Sequence, residues 1–143
     1  MPNYSATVEN TDITAVINQW LKDWNVISYE YWGTVDIKLS TEYSYAACTF
    51  AETKQMFVRP EWCSPGVIAH EAAHISYSLL SSEEKHQFNL LYRPLITTDP
   101  YITLLYSQNN YGLVNDVEGH AEIYRYICEK LPYELKGFYP NLL

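Results

Sequence analysis

The stretch that decides the predicted fold is Ser64-Pro65-Gly66-Val67-Ile68-Ala69-His70-Glu71-Ala72-Ala73-His74-Ile75-Ser76-Tyr77-Ser78-Leu79-Leu80. Serine is a good helix N-cap and proline suits the first helical position, so this stretch predicts a helix that runs to about Leu80. Four apolar residues recur in it at helical spacing: Ile68, Ala72, Ile75 and Leu79. The two histidines point away from that apolar stripe. We therefore expect the stripe to pack inward while the histidines face a cleft.

His70 and His74 are four residues apart, so on a helix they project from one face about one turn apart. Two imidazoles placed in this way can share one zinc ion at ~2.0–2.1 Å each. Glu71 lies close to the same side. There it can take a proton from a zinc-bound water, whose pKa the metal lowers toward ~7, and deliver it to a leaving amine. The pattern H-E-x-x-H at residues 70–74 therefore predicts a metallopeptidase centre.

A catalytic zinc ion needs a third protein ligand and an open position, and the last helix offers the candidates. Glu118 is favoured because Glu122 shares its face at i+4 and can then reach the free nitrogen of a ligand histidine. His120 points about 200° round the helix from Glu118 and falls in an apolar stripe, which suits a core histidine. His120 stays a rival ligand, as does Asp116. The alternative for the two glutamates is a solvated helix face.

Residues 70–74 and the segment Asn115-Asp116-Val117-Glu118-Gly119-His120-Ala121-Glu122-Ile123-Tyr124-Arg125 together resemble the gluzincin family of zinc metallopeptidases. Within that family, the likeness is to the catalytic domain of anthrax lethal factor, and it covers about residues 64–131. The resemblance implies that His70, His74 and Glu118 bind zinc and that Glu71 is the base.

The same resemblance implies a role for Tyr111, which stands seven residues before Glu118. A tyrosine at that place in the family donates a hydrogen bond toward the oxyanion, where it stabilises developing charge. The alternative is a loop tyrosine that packs on the surface. Gly119 and His120 depart from the bulky apolar pair that the family pattern has after the ligand glutamate.

The remaining patterns predict an α+β fold in one zincin-like domain, residues 1–143. Alternating and strand-like runs predict a small, mainly antiparallel three-stranded sheet from residues 34–39, 43–50 and 55–59. The last two runs should form a hairpin, and substrate backbone would pair with its edge strand near residues 46–58. Cap and stop signals predict helices, in addition to the one that carries the histidines, at about 12–24, from 82 to 93 before Pro94, a short one after Asp99-Pro100, and from about 115 to near Leu131-Pro132.

Composition and charge narrow the function classes further. The net charge of −8 argues against nucleic acid as a partner, because phosphate binding needs clustered Lys and Arg. No apolar run approaches ~20 residues and no signal peptide is visible, so we expect no membrane span and a cytoplasmic location. The odd set Cys48, Cys63 and Cys128 suits buried thiols in a reducing compartment, although one pair plus a free thiol is possible.

These observations predict a zinc-dependent peptidase that hydrolyses peptide or protein substrates with zinc-activated water and Glu71 as general base. Two alternatives stay open. One is a non-catalytic, zincin-like binding or regulatory protein, and the other is a zinc amidase that acts on cell-wall peptides. Glu71 favours an enzyme, because a purely structural site has no use for a carboxylate beside its ligands. The oligomeric state is left open.

Overall fold

The structure is a computed structural model that describes residues 4–23, 35–127 and 130–139. Its strands are β1 (Tyr4–Val8), β2 (Thr11–Asp12), β3 (Val35–Leu39), β4 (Ala47–Phe50) and β5 (Gln55–Val58). Its α-helices are α1 (Thr14–Asp23), α2 (Pro65–Ser78), α3 (Ser82–Thr98), α4 (Pro100–Gln108) and α5 (Asp116–Ile127). Short 3₁₀ turns lie at Pro60–Trp62, Tyr111–Leu113 and Tyr133–Phe138. The α+β class predicted from the sequence is confirmed.

The strands form one mixed sheet in the order β2-β1-β3-β5-β4. β1 pairs with β3 and β3 with β5 in parallel, whereas β2 and β4 are antiparallel to their neighbours. The predicted hairpin is confirmed by the pairing of β4 with β5. The prediction of a three-stranded, mainly antiparallel sheet is wrong. Parallel strands are joined by long connections, so a local alternation pattern does not reveal their pairing.

One face of the sheet carries the buried apolar side chains of its three central strands. Alternate residues of the three central strands are buried: Tyr4, Ala6, Val35, Ile37, Met56 and Val58. The residues between them are at least partly exposed, as the period of two along a strand requires. β4 stands last in the strand order, so one of its edges pairs with no other described strand.

The chain divides into two compact units, residues 1–71 and 72–143. The boundary falls inside the continuous helix α2. The first unit contains the sheet and the second contains α3, α4 and α5. That residues 1–143 form a single domain stays a prediction.

Helix α2 begins where the sequence predicts. The Ser64 hydroxyl oxygen accepts a hydrogen bond from the Val67 backbone N–H at 3.1 Å, and Pro65 is the first helical residue. The helix ends at Ser78, two residues before the predicted end. Three residues of the predicted apolar stripe are fully buried: Ile68, Ala72 and Ile75. Leu79 lies beyond the helix and is half exposed.

Helix α3 begins where the sequence predicts, after a reciprocal capping box formed by Ser81 and Glu84. Its predicted end before Pro94 is wrong, since the helix continues to Thr98. Proline removes one backbone N–H without forbidding the turns that follow it. Those turns keep their own hydrogen bonds, such as that from the Thr98 hydroxyl to the Pro94 carbonyl at 3.0 Å. Asp99 then caps α4 as predicted.

The other helix ends agree with the sequence within the described residues. Asp12 accepts a hydrogen bond from the Thr14 N–H at the start of α1, and the predicted last residue, Trp24, lies outside the described residues. α5 is described as far as Ile127, and residues 128–129, over which its predicted end falls, lie outside them as well. No described helix has the length and apolar character needed to cross a membrane.

Candidate metal centre

Helix α2 holds His70 and His74 one turn apart, and α5 carries Glu118 in its first turn. His74 Nε2 lies 3.3 Å from Glu118 Oε1. One ligand atom from each of His70, His74 and Glu118 lies within 4.8 Å of the others, so these three residues could hold a metal ion. The residues that the sequence singled out as ligands therefore come together.

The donor set fits a zinc ion in its chemistry, and the distance between two of its donor atoms fits as well. Two imidazole nitrogens and one carboxylate oxygen are a ligand set of catalytic zinc, which keeps a fourth position open. Tetrahedral bonds of ~2.0–2.1 Å place neighbouring donor atoms about 3.3 Å apart. The separation of 3.3 Å between His74 Nε2 and Glu118 Oε1 agrees with that spacing.

Glu118 is held by the local structure at the start of α5. The Asn115 side-chain oxygen accepts a hydrogen bond from the Glu118 backbone N–H at 2.8 Å, which caps the helix. Asp116 forms an ion pair with Arg93 of α3 at 2.8 Å. The carboxylate of Asp116, which the sequence left as a candidate ligand, is thus engaged with Arg93 and is not part of the ligand cluster.

His120, the rival ligand, is fully buried in an aromatic cluster of the second unit. Its ring stacks on Tyr139 at a centroid distance of 4.0 Å and meets Phe88 edge-on at 5.0 Å. Burial lowers the pKa of His120 to about 3, so the ring is neutral near pH 7. Because a carbonyl oxygen can only accept, Nε2 carries the proton of the neutral ring and donates a hydrogen bond to the Phe138 carbonyl oxygen at 3.0 Å. His120 is a core histidine, as its place in the apolar stripe indicated.

Glu71 follows His70 on α2 and is buried, with 6% of its surface exposed. The hydroxyl of Thr49, on strand β4, donates a hydrogen bond to the Glu71 carboxylate. The carboxylate is thereby oriented by the edge strand of the sheet. Sequence reasoning did not identify Thr49, and the one signal for it was its place in the hairpin that precedes the helix.

Glu122 is buried, and the Asn109 side-chain N–H donates to its carboxylate at 3.3 Å. The oxygen of the same amide group accepts from the Tyr111 backbone N–H at 3.1 Å. Asn109, which the sequence analysis missed, thus links the Tyr111 turn to α5. Tyr111 itself is about half exposed. The predicted roles of Glu122 toward a ligand histidine and of Tyr111 toward an oxyanion stay predictions.

Cys48 and Cys63 are free thiols, and Cys128 lies outside the described residues. Partial burial, together with the nearby charge of Glu71, raises the pKa of the Cys48 thiol. Burial also raises the pKa of the Cys63 thiol. Both groups are therefore protonated near pH 7 and are poor nucleophiles.

No protein-family model matches this chain, and comparisons with curated proteins and with solved structures give no match either. The resemblance to gluzincins therefore rests on the two segments at residues 70–74 and 115–125. What supports a function is the arrangement of side chains in this molecule.

Proposed function

We propose that this chain is a zinc-dependent peptidase whose metal is held by His70, His74 and Glu118. The convergence of their ligand atoms within 4.8 Å is the observation that carries the proposal. A zinc ion bound there would polarise a peptide carbonyl and lower the pKa of a water molecule. Structural zinc sites are normally closed by four Cys or His ligands, so a set of two histidines and one glutamate favours a catalytic site.

Glu71 is the residue that we assign as general base. It is adjacent to a ligand histidine on α2, and the Thr49 hydroxyl holds its buried carboxylate. A carboxylate so placed accepts a proton from the attacking water and returns it to the leaving amine. This use of Glu71 favours an enzyme over a non-catalytic binding protein.

β4 is the strand along which we place the substrate. Its outer edge pairs with no described strand, so its backbone N–H and C=O groups can bind an extended peptide. Thr49 lies on this strand and contacts Glu71, so a peptide paired with β4 runs close to the proposed base. An extended polypeptide is thus the substrate class that this edge favours.

Two further residues complete the proposed mechanism. Tyr111 would donate its phenol hydrogen bond to the carbonyl oxygen as negative charge develops on it. Glu122, buried and hydrogen-bonded to Asn109, would accept from a ligand histidine and so fix the orientation of that ring.

The test combines metal content with cleavage of a proteome-derived peptide library, for wild type and Glu71→Gln. We expect one zinc per chain in both proteins and a fall in turnover of ~10²–10⁴-fold in the variant, because glutamine cannot accept the proton. Glu83→Gln, an exposed acid at the start of α3, is the matched control. Full turnover in Glu71→Gln would contradict the assignment. Cleavage of cell-wall peptides without any linear peptide would favour the amidase instead.

The ligands are tested separately by replacing each with alanine. His70→Ala, His74→Ala and Glu118→Ala should each lose most of the bound zinc, since each removes one of three donors. His86→Ala removes an exposed histidine of α3 and should leave the zinc content unchanged. A wild-type protein that takes up no zinc at neutral pH would overturn the proposed function.

A further inference from the structure

Two glycines adjoin Tyr111 and Glu118 of the proposed site. Gly112 follows Tyr111, and Gly119 follows Glu118. A β-carbon built on Gly112 would lie 2.6 Å from the Tyr106 ring and hydroxyl. One built on Gly119 would lie 2.8 Å from Tyr92 Cζ and 3.0 Å from the Gly112 carbonyl oxygen. Real β-carbons essentially never lie closer than 3.0 Å to such atoms, so a tyrosine fills the space beside each glycine.

The two tyrosines are joined in the interior. Tyr92 of α3 and Tyr106 of α4 are buried, and their hydroxyl groups share a hydrogen bond. Burial raises the pKa of Tyr92 to about 12 and also raises the pKa of Tyr106, so both phenols stay protonated near neutral pH. The pair is therefore a neutral link between two helices.

One face of the Tyr92 ring is also supported. Phe88 stacks on Tyr92 at 5.1 Å, and the Phe88 ring in turn meets His120 edge-on. A ring packed in this way has little freedom to move away from Gly119. Gly119 thus lies beside the end of a ring that is itself held by packing.

We propose that the Tyr92–Tyr106 pair positions Glu118 and Tyr111 and thereby sets the metal affinity of the site. This inference rests on the proposed zinc centre. One ring lies against the residue after Glu118 and the other against the residue after Tyr111, and the shared hydrogen bond links the two rings. The pair also accounts for glycine at position 119, where the family pattern has a bulky residue, because Tyr92 occupies that space.

The first test is Tyr106→Phe, which keeps the ring and removes one hydroxyl of the pair. We expect the zinc dissociation constant, measured by competition with a chelating dye, to rise at least ~10-fold, as is typical when a contact behind a metal ligand is lost. The visible spectrum of the cobalt(II)-loaded protein, which reports donor geometry, should change as well. Tyr101→Phe, on the same helix but 45% exposed, is the control and should change neither quantity.

The second test adds a methyl group where the ring lies. Gly119→Ala should weaken zinc binding, whereas Gly137→Ala, which meets no atom within 4 Å, should not. A purely structural role would lower the unfolding temperature of the metal-free protein in these variants but leave zinc affinity and the cobalt spectrum unchanged.

The outcomes separate this inference from the proposed function. Wild-type zinc binding that Tyr106→Phe and Gly119→Ala both leave intact would overturn the positioning role and keep the metal centre. A wild-type chain that binds no zinc would overturn the centre itself, and the inference with it.

Discussion

Thr49 connects the edge strand to the proposed catalytic base through one hydrogen bond. Thr49→Val keeps the side-chain shape and the strand preference but removes the hydroxyl. We expect turnover of a cleaved peptide to fall ~10-fold, in the lower range of losses for an orienting contact, while zinc content stays unchanged. Thr7→Val on β1 is the matched control, since it makes the same change on another strand of the sheet. Unchanged turnover in Thr49→Val would show that Glu71 needs no such support.

The places of single side chains were predictable where the helix periodicity sets the direction in which each side chain points. The spacing of His70 and His74 and the place of His120 in an apolar stripe follow from 3.6 residues per turn, and the structure agrees with both. Thr49 and Asn109 were not predictable in this way. They reach their glutamate partners from a strand and from a loop, and no periodicity relates those segments to a helix face.

The interior proline of α3 defines a test at the level of the element. Pro94 has no N–H to donate to the carbonyl of Leu90, one turn earlier. Pro94→Ala restores that donor and should raise the free energy of unfolding by about 1–3 kcal/mol. Pro100→Ala, at the first position of α4, where no partner is needed, is the control and should have little effect. The measurement is urea unfolding, and an equal response of the two variants would contradict the explanation.

Element starts were predicted better than element ends. Ser64, Ser81 and Asp99 cap their helices as their side-chain chemistry indicates. The end of α3 was missed because tertiary contact with α4 outweighs the local signal of a proline. β1 and β2 were missed altogether: β1 finds its partner β3 across a long stretch of sequence, and β2 has only two residues.

Zinc should stabilise the molecule as a whole, because a ligand that binds only the folded state shifts the unfolding equilibrium toward that state. At a free zinc concentration 100 times the dissociation constant, the gain is ~2.7 kcal/mol. That gain should raise the unfolding temperature by ~5–10 °C for a chain of this size. Calorimetry with and without zinc measures this rise in unfolding temperature, and a chelator should reverse the rise.

Glu118→Ala should lose most of this zinc-dependent stabilisation, and His86→Ala should keep it. An equal shift in all three proteins would mean that zinc binds elsewhere.

For the molecule as a whole, the sequence predicted the α+β class, but not the order of strands in the sheet. Strand order depends on pairings between distant segments, whereas the class follows from the succession of local elements.

The side of β4 that pairs with no described strand has a consequence for the behaviour of the protein in concentrated solution. An unpaired strand edge is a template for any extended chain, including the same strand of another copy. β4 is four residues long, which keeps such pairing weak. Two copies joined edge to edge would each cover the strand edge that we propose as the substrate-binding edge. The proposed peptidase activity per chain would then rise on dilution, because fewer copies would be paired at low concentration.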